Sequence, residues 1–319
     1  MSDATPTNPD EPKGFLEKIG AALPIGLTAL ATVFAGMSTS ALQQAMYWKS
    51  QAAQDQSKAT NQWSLAGFKV DRALVMQTAA AQLSVMAGGK APEFTPDSTS
   101  PDQKTAVEWL EGKGPQEVYR RGADAKRREN RVGLPDVSAP LQELLDLIRK
   151  RAPEEDVARK AARIPKAEIN KAINDAEAEN EKITEDDWAP KVDAARKLVG
   201  GSRKKDVDPL KSAAAQAALF ELERRRYRSE ATLNQEIAVL YEARVRTSSA
   251  ESDKHRNKSE ILFIAMLVAQ IGGVGASMAL ARKSKSALWL FASMIGLVAL
   301  GVGAYGVLFT ILPELLAAQ

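Results

Sequence analysis

Few side chains in this chain have chemical reach, and the residues around each limit what it can do. The single histidine, His255, lies between Lys254 and Arg256. A histidine base needs a positioned partner, and neighbouring cations depress its proton affinity, so this string reads as solvated residues at a membrane surface. There Lys254, Arg256 and Lys258 would meet lipid phosphates. The acidic run of Glu177, Glu179, Glu181, Glu185, Asp186 and Asp187 offers oxygen ligands suited to a hard cation. It lacks the Asp, Asn and Gly spacing of a calcium loop and reads as a charged helix face. Basic residues gather at 120–131 and 224–228, but Asp124, Glu129, Glu221 and Glu223 dilute both groups. A net charge of +3 is too small to argue for nucleic acid as a partner. With no cysteine in the chain, disulfides, thiol catalysis and thiolate metal sites are excluded. The reading is of a protein that is not an enzyme and takes no metal or cofactor.

The string Gly272, Gly273, Val274, Gly275 has the composition of a phosphate loop but lies inside an apolar stretch with no strand before it. Its spacing suits packing. Gly272, Gly275, Ala276 and Ala279 make small-xxx-small pairs, as do Ala292, Gly296, Ala299 and Gly303 further on. Such pairs let helix backbones approach closely, within a hairpin or between copies. Gln270 is polar in the same stretch, and residues of that kind turn toward protein or water rather than lipid. The expectation is an interhelical hydrogen bond, with an ion or substrate path as the alternative. Trp109 and Trp188 sit on amphipathic segments and are expected to anchor small apolar contacts.

Three long uncharged stretches must carry these residues, at 19–48, 261–281 and 286–313. A membrane helix needs roughly 20 mainly apolar residues, and each stretch meets that length. The first is most apolar at its start, and its span is set at 19–40. The mean hydropathy of -0.26 hides these spans by averaging them with a highly charged centre. Asp3, Asp10, Glu11 and Glu17 outnumber Lys13 and Lys18 ahead of the first stretch, which argues for an uncleaved anchor over a signal peptide. Arg282, Lys283 and Lys285 fill the short loop 282–285, while only Glu314 follows the third stretch. That bias sets the loop in the cytoplasm and the centre outside it. Lys49, Lys254, Arg256 and Lys258 oppose it, but they border a long segment, which weighs less.

Between the spans the chain reads as helix throughout. Residues 1–18 are expected to form a disordered tail, and 41–89 extend the first span as a helix stopped at Gly88 and Gly89. Residues 90–207 hold short helices and linkers. One starts at Ser100, Pro101 and Gln103, and another carries Leu141, Leu144, Leu145 and Ile148 on one face. Breaks are expected near Pro153, Pro165, Pro190 and Gly200. Asp208 and Pro209 then open a run without proline or glycine until Gly272. Unbroken to 281, it would be about 110 Å long. Within 208–260 it is coiled-coil-like, with Leu219, Leu222, Leu233, Ile237, Leu240 and Val245 near one stripe. The partner expected for that stripe is the helix leaving the first span. Residues 314–319 close the chain as a tail. The fold class is all-α: an integral membrane protein with three transmembrane helices and a long helical-hairpin, coiled-coil extramembrane region.

Asp55, Gln56 and the segment 63–69 follow the first span, His255 precedes the second, Gln270 lies within it, and 288–296 open the third. In these strings and in its layout the chain resembles a family of uncharacterised bacterial membrane proteins defined only as a domain of unknown function. The middle, 90–207, departs from that pattern. The resemblance implies a bacterial inner-membrane location and helical architecture, and brings no activity. The expected function is a membrane-anchored helical scaffold or adaptor whose partners are the bilayer and a second copy or other membrane proteins, with the centre periplasmic. The alternative is an accessory subunit of a transport or channel complex.

Overall fold

Proline and glycine punctuate the helices seen in a computed structural model, which describes residues 15–94, 101–113, 137–201, 208–281 and 287–317. Helix α1, Phe15–Met86, ends where Gly88 and Gly89 take positive φ of 59° and 75°, the left-handed conformation that glycine adopts without a Cβ clash. Pro101 opens α2, Pro101–Leu110. The Ser138 hydroxyl caps α3, Ala139–Arg149, by accepting from the Leu141 amide. Pro153 and Pro165 precede α4, Glu154–Ala161, and α5, Lys166–Glu181. A π-helical turn, Lys182–Trp188, runs α5 into α6, Ala189–Gly201, so the helix continues through the break expected at Pro190. Asp208 caps α7, Pro209–Ala281, through the Leu210 amide. Helix α8, Ala287–Ala317, continues through Pro313, beyond the span end expected there. No strand occurs among the described residues.

The chain divides into two units, Met1–Ser50 with Glu251–Gln319, and Gln51–Ala250. In the first, α1, α7 and α8 form a bundle whose interior is made of small residues. Ala31, Ala41 and Ala45 of α1 are buried, as are Ala265, Ala269, Ala276 and Ala279 of α7 and Ala292 and Ala299 of α8. Leu27, Phe34 and Leu262 fill the remaining space. Large apolar side chains point outward instead, among them Ile25, Val33, Phe263, Ile271, Leu290, Met294 and Leu297. Two reciprocal bonds fasten α1 to α7, with Ser38 Oγ and Ser259 Oγ each 2.9 Å from the other residue's carbonyl oxygen. Ser252 Oγ also donates to the Ala45 carbonyl. Helices α1 and α7 are long and apolar enough to cross a membrane, and the apolar run of α8 over Leu290–Gly306 is shorter.

In the second unit α7 is the central element. Ala52, Ala59, Ala66, Ala73 and Ala80 recur every seventh residue on α1, each no more than 7% exposed. A seven-residue period keeps one face turned toward a partner helix, and alanine lets the two axes come close. Ala217, Ala231 and Ala238 are buried on α7 in the same register. The opposite side of α7 packs on α2 to α6. Leu222, Leu233, Ile237 and Leu240 join Leu141, Leu144, Leu145, Ile169, Ile173, Ile183 and Trp188 in one core. This corrects the expected partner of the leucine and isoleucine stripe. Its bulky side chains fill the cavity under the short helices, while α1 needs only alanine.

Candidate functional site

The densest group of chemically capable side chains lies in the second unit, where α1, α5 and α7 meet. Asp55 is fully buried, and its Oδ1 accepts from Arg244 Nη2 at 2.5 Å and from Gln51 Nε2 at 3.4 Å. Arg244 Nη1 donates to Asn170 Oδ1 at 3.1 Å, and the guanidinium lies 4.8 Å from the Tyr241 ring centroid. Lys58 approaches the same ring at 5.6 Å. The Tyr241 hydroxyl donates to Glu177 Oε1 at 2.8 Å. Burial first, and then the bond to the Glu177 carboxylate and its charge, push the phenol up to about 12. The hydroxyl therefore keeps its proton at neutral pH. Donors and acceptors are matched along this chain of side chains, apart from Asp55 Oδ2 and Arg244 Nε, which lack a partner. Such an arrangement holds three helices in register.

One turn after another along α7, further charges are paired in the same manner. Glu230, 2% exposed at its side chain, takes Lys69 on one oxygen and Arg226 Nε on the other at 2.7 Å. Glu236 meets Arg149 of α3, and Glu223 meets Arg196 of α6 at 2.8 Å. Trp63 Nε1 donates to Glu242 at 2.7 Å. Trp109 and Trp188 stack edge to face at 4.9 Å, and the Trp109 carbonyl accepts from the buried Arg225 at 2.6 Å. These contacts are the ones expected of the tryptophans, with a guanidinium added. Glu177 of the acidic run serves Tyr241, and among the described residues no group of three or more acidic or histidine side chains is placed to hold a metal ion.

In the first unit the small residues named from sequence take different roles. A Cβ on Gly303 would fall 2.0 Å from the Phe34 ring, and one on Gly296 2.9 Å from Leu27. One on Gly272 would meet Ile295 at 3.1 Å and Leu27 at 3.2 Å. These three glycines are notches for side chains of α1 and α8. Gly275 has only an ordinary contact, 3.7 Å to Ala292. Gln270 is exposed, and among the described residues its carboxamide has no hydrogen-bond partner. Leu262, Ala265, Ala269 and Ala276 set the inward face, and Gln270 lies one residue, about 100°, round from Ala269. Arg256 pairs with Glu260 at 3.0 Å, and His255 Nε2 lies 4.0 Å from Glu251. Tyr47 and Trp48 pack edge to face on α1. Arg282, Lys283 and Lys285, the basic residues at 120–131 and most of the N-terminal tail lie outside the described residues.

Neither the alanine register nor the buried ion pairs were found by sequence reasoning. The seven-residue recurrence of alanine on α1 was the available signal for the first. Compared with family models, with curated proteins and with solved structures, the chain matches none.

Proposed function

We propose that this protein is a membrane-anchored helical scaffold that works by docking a partner helix outside the bilayer. The observation that carries the reading is the free face of α1 in the second unit. Leu65, Phe68, Leu74, Val75, Val85 and Met86 are between 45% and 81% exposed there. Large apolar side chains left this exposed on one helix, here interrupted by Asp71, Arg72 and Gln82, mark an interaction site on a water-facing element. A partner helix with an apolar stripe of its own fits it best, since Leu65, Phe68, Val75 and Met86 fall in an a/d register.

The anchor is supported by the inside-out composition of the first unit, with alanine and glycine within and large apolar side chains without. Lipid accepts such a surface, whereas water does not. We assign three spans, from α1, α7 and α8, in a bacterial inner membrane. Tyr47 and Trp48 beside the basic residues Lys49, Lys254, Arg256 and Lys258 suit the headgroup level, and the centre is periplasmic. The transport-accessory alternative leaned on Gln270, which faces away from the bundle.

Pull-down of the full-length protein in mild detergent tests the docking face. Phe68→Asp and Val75→Asp should each lose the partner that the unchanged chain retains, with helix content by circular dichroism unaltered. Retention of the same partner by both variants would remove the α1 face from the function.

A further inference from the structure

Within the first unit, the exposed side of α7 carries Phe263, Leu267, Gln270, Val274, Ser277 and Ala281. Their spacing alternates four and three residues, the 3.5-residue period that keeps a stripe against a partner helix. Phe263, Leu267 and Val274 are 49%, 41% and 57% exposed, so none of the described residues covers the stripe. Gln270 lies at its centre with an amide that finds no partner among the described residues. An unpaired amide at bilayer depth is costly, because hydrocarbon supplies neither donors nor acceptors.

We infer that this stripe pairs with the same stripe of a second copy, joined by two hydrogen bonds between the Gln270 side chains. The inference rests on the membrane assignment proposed above. Two properties of Gln270 single out a second copy. The carboxamide holds both a donor and an acceptor, so it is complementary to itself. A two-fold axis along the membrane normal also sets identical residues of two equally oriented copies at the same depth, which no unrelated helix ensures. The apolar positions on either side then close around the amides, as a single polar residue fixes register in a paired helix. Ser277 does not compete for them, since its hydroxyl donates to the Gly273 carbonyl at 2.9 Å.

The absence of native cysteine allows a direct test on the full-length protein in its own membranes. Val274→Cys should give covalent dimers on mild oxidation, and Leu297→Cys, on the outer face of α8, should not. Adding Gln270→Leu to Val274→Cys should lower the dimer yield roughly five- to ten-fold, the worth of two interhelical hydrogen bonds, and Gln270→Asn should restore part of it. Equal dimer at both cysteine positions would overturn the pairing, as would a yield indifferent to Gln270→Leu. Cross-linking of Val274→Cys to a different protein alone would overturn it in favour of an unlike partner. Alkaline carbonate extraction of the same membranes separates the two levels: release of the protein would bring down the membrane assignment and the pairing together, while retention leaves the dimer yield to decide.

Discussion

Asp55 and Arg244 are each held by the other, so removing one strands a charge or a set of donors in a dry site. Breaking a buried ion pair from one side costs about 3 to 5 kcal/mol, and the partial exposure of Arg244 argues for the lower end. Arg244→Met, which strands the fully buried Asp55 carboxylate, should therefore lower the unfolding free energy by about 3 kcal/mol, and Asp55→Ala, which leaves a partly exposed guanidinium still bonded to Asn170, by about 2 kcal/mol. The double variant should lose less than the sum, because neither charge is then left alone. Denaturant unfolding of the four proteins in detergent, followed by circular dichroism, completes the cycle, and strict additivity would show that the pair contributes nothing. In the sequence, Asp55 and Trp63 stood out only through a resemblance in local strings. Glu230 and Glu236 gave no signal, and Arg225 showed only as one of the basic residues at 224–228, because a buried charge on a helix of mixed charge is spelled like a solvated one. Only the fold, by packing α2 to α6 over α7, makes the two differ.

At the level of helices, the glycines that looked alike in sequence are not equivalent. A methyl group on Gly303 would overlap the Phe34 ring, whereas one on Gly275 would make an ordinary contact with Ala292. Gly303→Ala should thus destabilise the bundle by about 1 to 3 kcal/mol, the range for overpacking a filled core, and Gly275→Ala should be near neutral. Adding Phe34→Leu to Gly303→Ala should recover much of the loss by vacating the ring's space. Thermal unfolding in one detergent ranks the variants, and equal losses at the two glycines would refute the notch. The helices themselves were legible, since proline, glycine and capping residues mark their ends in the chain. What each face would meet was not. Periodicity shows that Leu222, Leu233, Ile237 and Leu240 form a stripe, but only tertiary structure shows that short helices cover it while alanine meets α1.

For the whole chain, charge and hydropathy constrain the orientation more tightly than any one residue does. With α1 and α7 crossing a bilayer as proposed, the polar centre and its paired charges have to lie on one side of it, because moving such groups into hydrocarbon would be prohibitive. Entering by one span and leaving by another, it shares that side with the C-terminus if α8 crosses, and faces away from the loop at 282–285. Arg282, Lys283 and Lys285 favour the cytoplasm for that loop, so the centre and C-terminus should be periplasmic. A cysteine replacing Met86, which is 65% exposed, should then react with an impermeant thiol reagent in intact spheroplasts. One replacing Ser284 should react only after permeabilisation. The reverse pattern would turn the molecule over and move the apolar face of α1 to the cytoplasm. Reaction of both in intact spheroplasts would mean that α7 does not cross, since residues 86 and 284 can share a side only if α7 turns back or stays outside.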